Sequence, residues 1–260
     1  MIAVIHALWH REITKFLRDR SRLIGALVQP LGFWVLLGLG FYGSFQMPGA
    51  GEVGYLEYLY PGIIALILLF TAIFSTISVV QERQEGFLQA ALVAPVPRTT
   101  IVLGLVSGGT TLAVAEAVLF LLLAPLVGLT PGLAGLLVIV AAVVLMALAF
   151  TALGFTIAWR LDTTRGFHAV MNLFLLPMWF LSGAFFPVEG VPAVLRWVMY
   201  ANPAFYGVAA IRQGLYLPAE APGVGLPLTV TLGVSFAFAV LVLALAVWTV
   251  RRPLFQGSAR

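Results

Sequence analysis

Apolar and polar positions in this chain separate into long blocks rather than alternating. Apolar residues run from Leu23 to Gly43 with no charge before Glu52, and again from Leu59 to Val80. From Thr99 to Trp159 the only ionisable side chain is Glu116, a stretch too long for one bilayer crossing at roughly 20 residues per helix. The run Gly128-Leu129-Thr130-Pro131-Gly132 divides it, because adjacent Pro and Gly punctuate a tight reversal. The pattern predicts an all-α polytopic membrane protein with spans near 23–43, 59–80, 101–127, 133–158, 167–187 and 227–250. An even number of crossings puts both termini on one side.

Ahead of the first span, Ile2, Ile5, Trp9, Ile13 and Phe16 recur at steps of three and four, while Arg11, Thr14, Lys15 and Arg18 fill the opposite arc. Residues 1–22 therefore read as an amphipathic helix, either lying in the membrane interface or capping neighbouring loops. Residues 23–250 form a single six-helix domain, and 251–260 a short tail. The basic stretch precedes a full-length span without a small-residue cleavage site, so it reads as a retained first crossing.

Composition agrees with the pattern: 62% of residues are hydrophobic and only 9% charged, too few charges to clothe a soluble surface. The net charge of +4 has a strongly uneven distribution. With the N-terminus inside, Arg11, Lys15, Arg18, Arg20, Arg22, Arg83, Arg98, Arg160, Arg165, Arg251, Arg252 and Arg260 all face the cytoplasm, and only Arg196 and Arg212 face outward. This bias predicts cytoplasmic termini in the cell membrane and removes the nucleic-acid reading that a basic chain invites. Arg212 reads as a headgroup anchor or a phosphate contact.

The chemistry of enzymes is poorly represented. With Cys 0, thiolate sites are excluded. The only lysine, Lys15, sits between Thr14 and Phe16, so no Gly-Lys-Ser/Thr phosphate loop is encoded. A serine hydrolase would pair Ser182 with a base, but His168 lies fourteen helical residues away, roughly 21 Å along the axis. His6 and His10 are one turn apart without a third ligand. No catalytic residue, metal site or cofactor is expected in this chain.

Two connecting segments carry information. Residues 81–98 read as a charged turn, a short apolar helix and a proline stop: Glu82, Arg83 and Gly86, then Phe87, Leu88, Ala91 and Leu92 on one face, then Pro95 and Arg98. An apolar face on a cytosolic loop docks in a partner groove, lies on the membrane, or caps the bundle. After span five, Phe180-Leu181-Ser182-Gly183-Ala184-Phe185-Phe186-Pro187 and Asn202-Pro203-Ala204-Phe205-Tyr206 are apolar stretches too short to cross and broken by Pro and Gly, the pattern of re-entrant helices.

Within the spans, Glu116 is the one deeply placed carboxylate, either hydrogen-bonded to a neighbouring helix or acting on substrate. Thr71, Ser75 and Ser78 share a face of span two, and Gly104 and Gly108 a face of span three, patterns of close packing or of a lined pathway. Met171, Asn172, Met178, Trp179, Phe185 and Phe186 make span five adaptable, suited to an amphipathic cargo or to ordinary bulky packing.

The Glu82-Arg83-x-x-Gly86-x-Leu88 loop with Pro95 and Arg98, the Phe-Leu-Ser-Gly-Ala-Phe-Phe-Pro segment, the Asn202-Pro203-x-x-Tyr206 that follows and Gln29-Pro30 together resemble the membrane subunit of type-2 ABC transporters over essentially the whole chain. Gln89 departs from that pattern, where an acid is expected. The resemblance implies a dimer of membrane subunits, identical or not, and a separate ABC-type ATPase, two copies, carrying the ATP and Mg on the cytosolic face. It implies that the 82–98 loop is the coupling element. It also implies that Ser182, Gly183, Phe185, Phe186, Pro187, Asn202, Pro203 and Tyr206 form the outer gate, and that transport is outward. The rival reading is a self-sufficient carrier or channel in which Glu116 binds a proton or cation.

Overall fold

The computed structural model describes residues 1–41, 53–86 and 95–251, and every regular element among them is helical. In chain order these are α1 (Ile2–Arg18), α2 (Arg20–Gly40), α3 (Tyr55–Ser75), α4 (Ile77–Gln84), α5 (Arg98–Leu121), α6 (Leu133–Ala158), α7 (Thr164–Trp179), α8 (Ala193–Ala201), α9 (Pro203–Tyr216) and α10 (Leu228–Arg251). Among the described residues, five stretches are long and apolar enough to cross a membrane: Tyr55–Gln84, Arg98–Leu121, Leu133–Ala158, Thr164–Ala184 and Leu228–Arg251. α2 is a continuous helix as well, and its described residues include the apolar stretch Val28–Gly40.

Span boundaries move from the predicted ones for local reasons. The second extends four residues beyond Val80 because Thr76 joins α3 to α4 without breaking helical geometry. The third stops at Leu121, and a 3-10 turn at Ala124–Val127 reverses the chain before α6. The fifth ends as an α-helix at Trp179, because the next turn leaves helical geometry at Leu181 and at Gly183, the latter in the left-handed region that suits glycine.

α3 occupies the centre. Tyr58 through Leu69 are buried, whereas α10 presents Phe236, Val240, Leu241 and Leu245 to its surroundings. Aromatic contacts tie α2 to this centre. The Trp34 indole donates to the Leu56 carbonyl at 3.0 Å and meets Tyr60 and Phe120 edge-on, at 5.4 and 5.5 Å.

α1 packs along α5. A Cβ at Gly104 would stand 2.7 Å from Leu8 Cβ, and one at Gly108 would stand 2.8 Å from Glu12 Cβ, so these two glycines allow the helices to touch. The contacting face combines Ile5, Leu8, Glu12 and Phe16, and the Trp9 indole donates to Thr111 at 3.0 Å, while Ile2 is exposed. The face is thus rotated from the purely apolar arc of the sequence, because a carboxylate enters it.

Candidate functional sites at the two ends of the bundle

The chain enters and leaves the 82–98 loop through two arginines that grip helix ends. Arg83 donates from Nη1 to the Leu161 carbonyl and to the Asp162 carboxylate, both at 3.2 Å, and from Nη2 to the carbonyls of Trp159 and Ala158. Gln84 Nε2 adds a bond to the Asp162 carbonyl at 2.8 Å. At the other root, Arg98 Nη1 donates to the Val250 carbonyl at 3.1 Å. The last carbonyls of a helix lack intrahelical donors and carry the negative end of its dipole, so a guanidinium satisfies both. Arg83 thereby caps α6, and Arg98 binds the last described turn of α10. Gly86, at φ +81, closes α4 with its N–H on the Arg83 carbonyl, a left-handed stop that suits glycine. Pro95 is exposed just ahead of α5. Phe87, Leu88, Ala91 and Leu92 lie outside the described residues.

Glu82 points the other way, toward α1. It is 2% exposed, pairs with Arg11 Nη1 at 2.8 Å and accepts from Lys15 Nζ. Glu12 is buried beside it, takes a bond from Ser78 at 3.2 Å and lies 3.5 Å from Lys15. Burial raises the Glu12 pKa above its ordinary value, Lys15 opposes the shift and the Glu82 charge adds to it. A cavity of about 230 Å³ lined by Glu12, Lys15, Ser78, Glu82 and Glu85 adjoins the cluster.

At the opposite end, the segment after α7 leaves helical geometry. Phe180–Ala184 forms a π-type turn with Leu181 at φ −91, ψ 15 and Gly183 at φ +77. The break is pinned on every side. Trp179 Nε1 donates to the Gly62 carbonyl at 2.7 Å, and a Cβ on Gly62 would stand 2.5 Å from Ala184 Cβ. Ser182 is fully buried and donates to the Trp179 carbonyl at 2.6 Å. Phe185 stacks on Phe180 and meets Trp179 edge-on, both at 4.6 Å. Phe186 packs with the small cluster of Val188, Met199 and Phe205, and Pro187 is buried.

Asn202 starts α9: its side-chain oxygen accepts from the Ala204 N–H at 3.0 Å, and Pro203 takes the first helical position, where its missing N–H does no harm. Its amide also reaches back to the Met178 carbonyl at 2.6 Å, and Tyr206 donates to the Tyr200 carbonyl at 2.8 Å. The two apolar motifs of the sequence therefore meet in one structure.

Arg212 is not the headgroup anchor that its place in the chain suggests; it is fully interior, 2% exposed, and donates to Tyr58 and Gly183. Sequence reasoning misses this role, although an arginine within the apolar run Val208–Leu215 is the available signal.

In the bundle interior Glu116 is buried and accepts from the Thr71 hydroxyl. Ser75 is buried with its hydroxyl on the Ala72 carbonyl. Asn172, by contrast, is exposed on α7.

The sequence-family model described as ABC-2 type transporter matches residues 3–216. The chain belongs to that family. Among its relatives, Nodulation protein J of Rhizobium leguminosarum bv. trifolii is 29% identical over 209 residues, covering 79% of each chain. The transport permease ycf38 of Cyanophora paradoxa is 27% identical over 213 residues, 81% of this chain and 73% of that one. The multidrug ABC transporter permease YbhS of Escherichia coli is 28% identical over 172 residues, 65% of this chain and 45% of the relative. As an ABC-2 family member with several crossing helices, the chain is a multi-pass membrane subunit of an ABC transporter, and the family implies an ABC ATPase partner. The matched region contains both loop roots, Glu116, the α7 break and Arg212.

Proposed function

We propose that this ABC-2 subunit is half of a dimeric exporter of six-helix subunits, α2 supplying the first crossing, which moves an amphipathic, drug-like or lipid- or glycan-linked substrate outward. The ATPase docks on the basic, cytoplasmic end through the 82–98 loop. The observation that carries this reading is the double tie of that loop, Arg83 to the end of α6 and Arg98 to the last described turn of α10. A displacement of the loop is delivered to both helices at once, rather than being absorbed as loop motion.

The exposed face of α7 supports the dimer. His168 and Asn172 are uncovered in the single chain, and polar groups on a spanning helix are costly against lipid, so a second subunit or the pathway covers them. Large, deformable side chains at Met178, Phe180 and Phe185 suit an amphiphile better than a hydrated ion. The multidrug name of one relative points the same way. The carrier reading loses support because Glu116 is already hydrogen-bonded to Thr71.

The test is co-purification. Phe87→Asp and Leu92→Asp are expected to abolish recovery of the ATPase with the permease while the permease still elutes as a single species. Undiminished ATPase recovery would remove the coupling role of the loop.

A further inference from the structure

Arg212 is a buried charge with an unusual set of partners. Among the described residues no carboxylate lies in ion-pair range of it, although taking a guanidinium out of water is costly unless it is well bonded. Its partners are instead Tyr58 and Gly183. Nη1 donates to the Tyr58 hydroxyl at 3.1 Å, and Nη2 to the Tyr58 carbonyl at 3.3 Å and the Gly183 carbonyl at 2.9 Å. The guanidinium carbon stands 4.0 Å from the centre of the Tyr58 ring, and the Tyr58 hydroxyl in turn donates to Gly183 at 3.2 Å. The result is a closed triangle joining α3, α9 and the break after α7.

The third corner of that triangle is the informative one. Gly183 is the left-handed residue at which the chain departs from the helix, so its carbonyl has no helical donor and its backbone has a second accessible conformation. Tyr58 and Arg212 supply both of the donors that carbonyl receives. Arg212 Nε, meanwhile, is buried without an acceptor. A donor left over in this arrangement is available to another one, and directional bonds exchange without opening a cavity, unlike interlocked apolar packing.

We propose that Arg212 and Tyr58 lock the outer gate, holding Gly183 and the 180–187 segment in the closed position and releasing them when the pathway opens. Arg212 is a positioning residue here, since it touches no substrate. The proposal rests on the reading of 180–187 as the outer gate, and the experiment separates the two.

The permease, assembled with its ABC ATPase, is reconstituted into vesicles loaded with a small self-quenched dye and a large labelled dextran, without nucleotide. Arg212→Gln is expected to raise dye leak about tenfold, the factor that about 1.4 kcal/mol of lost closing preference gives, with the dextran retained. Arg212→Lys, which restores the charge and one donor, is expected to leak less than Arg212→Gln. Tyr58→Phe keeps the ring and the carbonyl acceptor but removes the hydroxyl link, and is expected to leak more than the parent; it decides the question if Arg212→Gln does not assemble. Phe185→Ala perturbs the gate directly. Dye leak from the Arg212 or Tyr58 variants supports the lock, whatever Phe185→Ala does. Leak from Phe185→Ala alone overturns the lock and leaves the gate. No leak from any variant overturns both, and release of the dextran overturns the lock by marking ruptured vesicles.

Discussion

Replacing Arg83 by Met removes a cap from the end of α6 while keeping an unbranched apolar stem. The side chain is 17% exposed, so its bonds to the Leu161, Trp159 and Ala158 carbonyls are made largely away from water. The Asp162 carboxylate is 89% exposed, so that ion pair adds only about 0–1 kcal/mol. A hydrogen bond from a charged group is worth about 1.5–3 kcal/mol, and a cation at a helix C-terminus about 0.3–1 kcal/mol. Because one guanidinium makes all these contacts, they do not sum, and the net expected loss is about 2–4 kcal/mol. At about 2–4 °C per kcal/mol, the thermal midpoint of the purified permease should fall by about 5–15 °C. Arg83→Lys should recover less than half of the loss, since an ammonium is a point donor and cannot fork across several carbonyls. Asp162→Asn should stay within about 1 kcal/mol of the parent. If Asp162→Asn costs as much as Arg83→Met, or Arg83→Met is silent, Arg83 does not act as the cap of α6.

Three other outcomes can be checked on the same preparation. The raised pKa of Glu12 means that burial disfavours its charge, so its contribution to stability is fully present below the ordinary value of 4.5 and is lost as pH rises through the raised value. Glu12→Gln should therefore flatten the fall of the thermal midpoint with rising pH across that window, and an unchanged slope would refute the assignment. Glu116→Gln keeps an acceptor for Thr71 and should preserve folding and transport, whereas Glu116→Leu should cost about 1–3 kcal/mol; abolished transport in a well-folded Glu116→Gln protein would revive the carrier reading. Gly62→Val forces a Cβ against Ala184, 2.5 Å from its Cβ and 2.9 Å from its Cα, and should cost about 1–3 kcal/mol, visible as a lower thermal midpoint.

The crossing helices are legible in the sequence because membrane insertion reads a one-dimensional quantity, the length of an uncharged apolar run. The same holds for the reversal at 128–132 and for the break at 180–187, since Gly and Pro act on their own backbone. What the sequence leaves open is which polar groups find one another. Thr71 and Glu116, Arg83 and the end of α6, and Arg212, Tyr58 and Gly183 are 45, 76, 154 and 29 residues apart within their bonded pairs. Arg212 shows the difference most clearly. Its position in the chain offers a headgroup or a substrate as partner, and only the packing of α9 against α3 carries it inward to a broken helix. A lone charge in an apolar run announces that a partner must exist, because desolvation demands one; which partner depends on helix rotation, and that is decided by side-chain packing between elements distant in sequence.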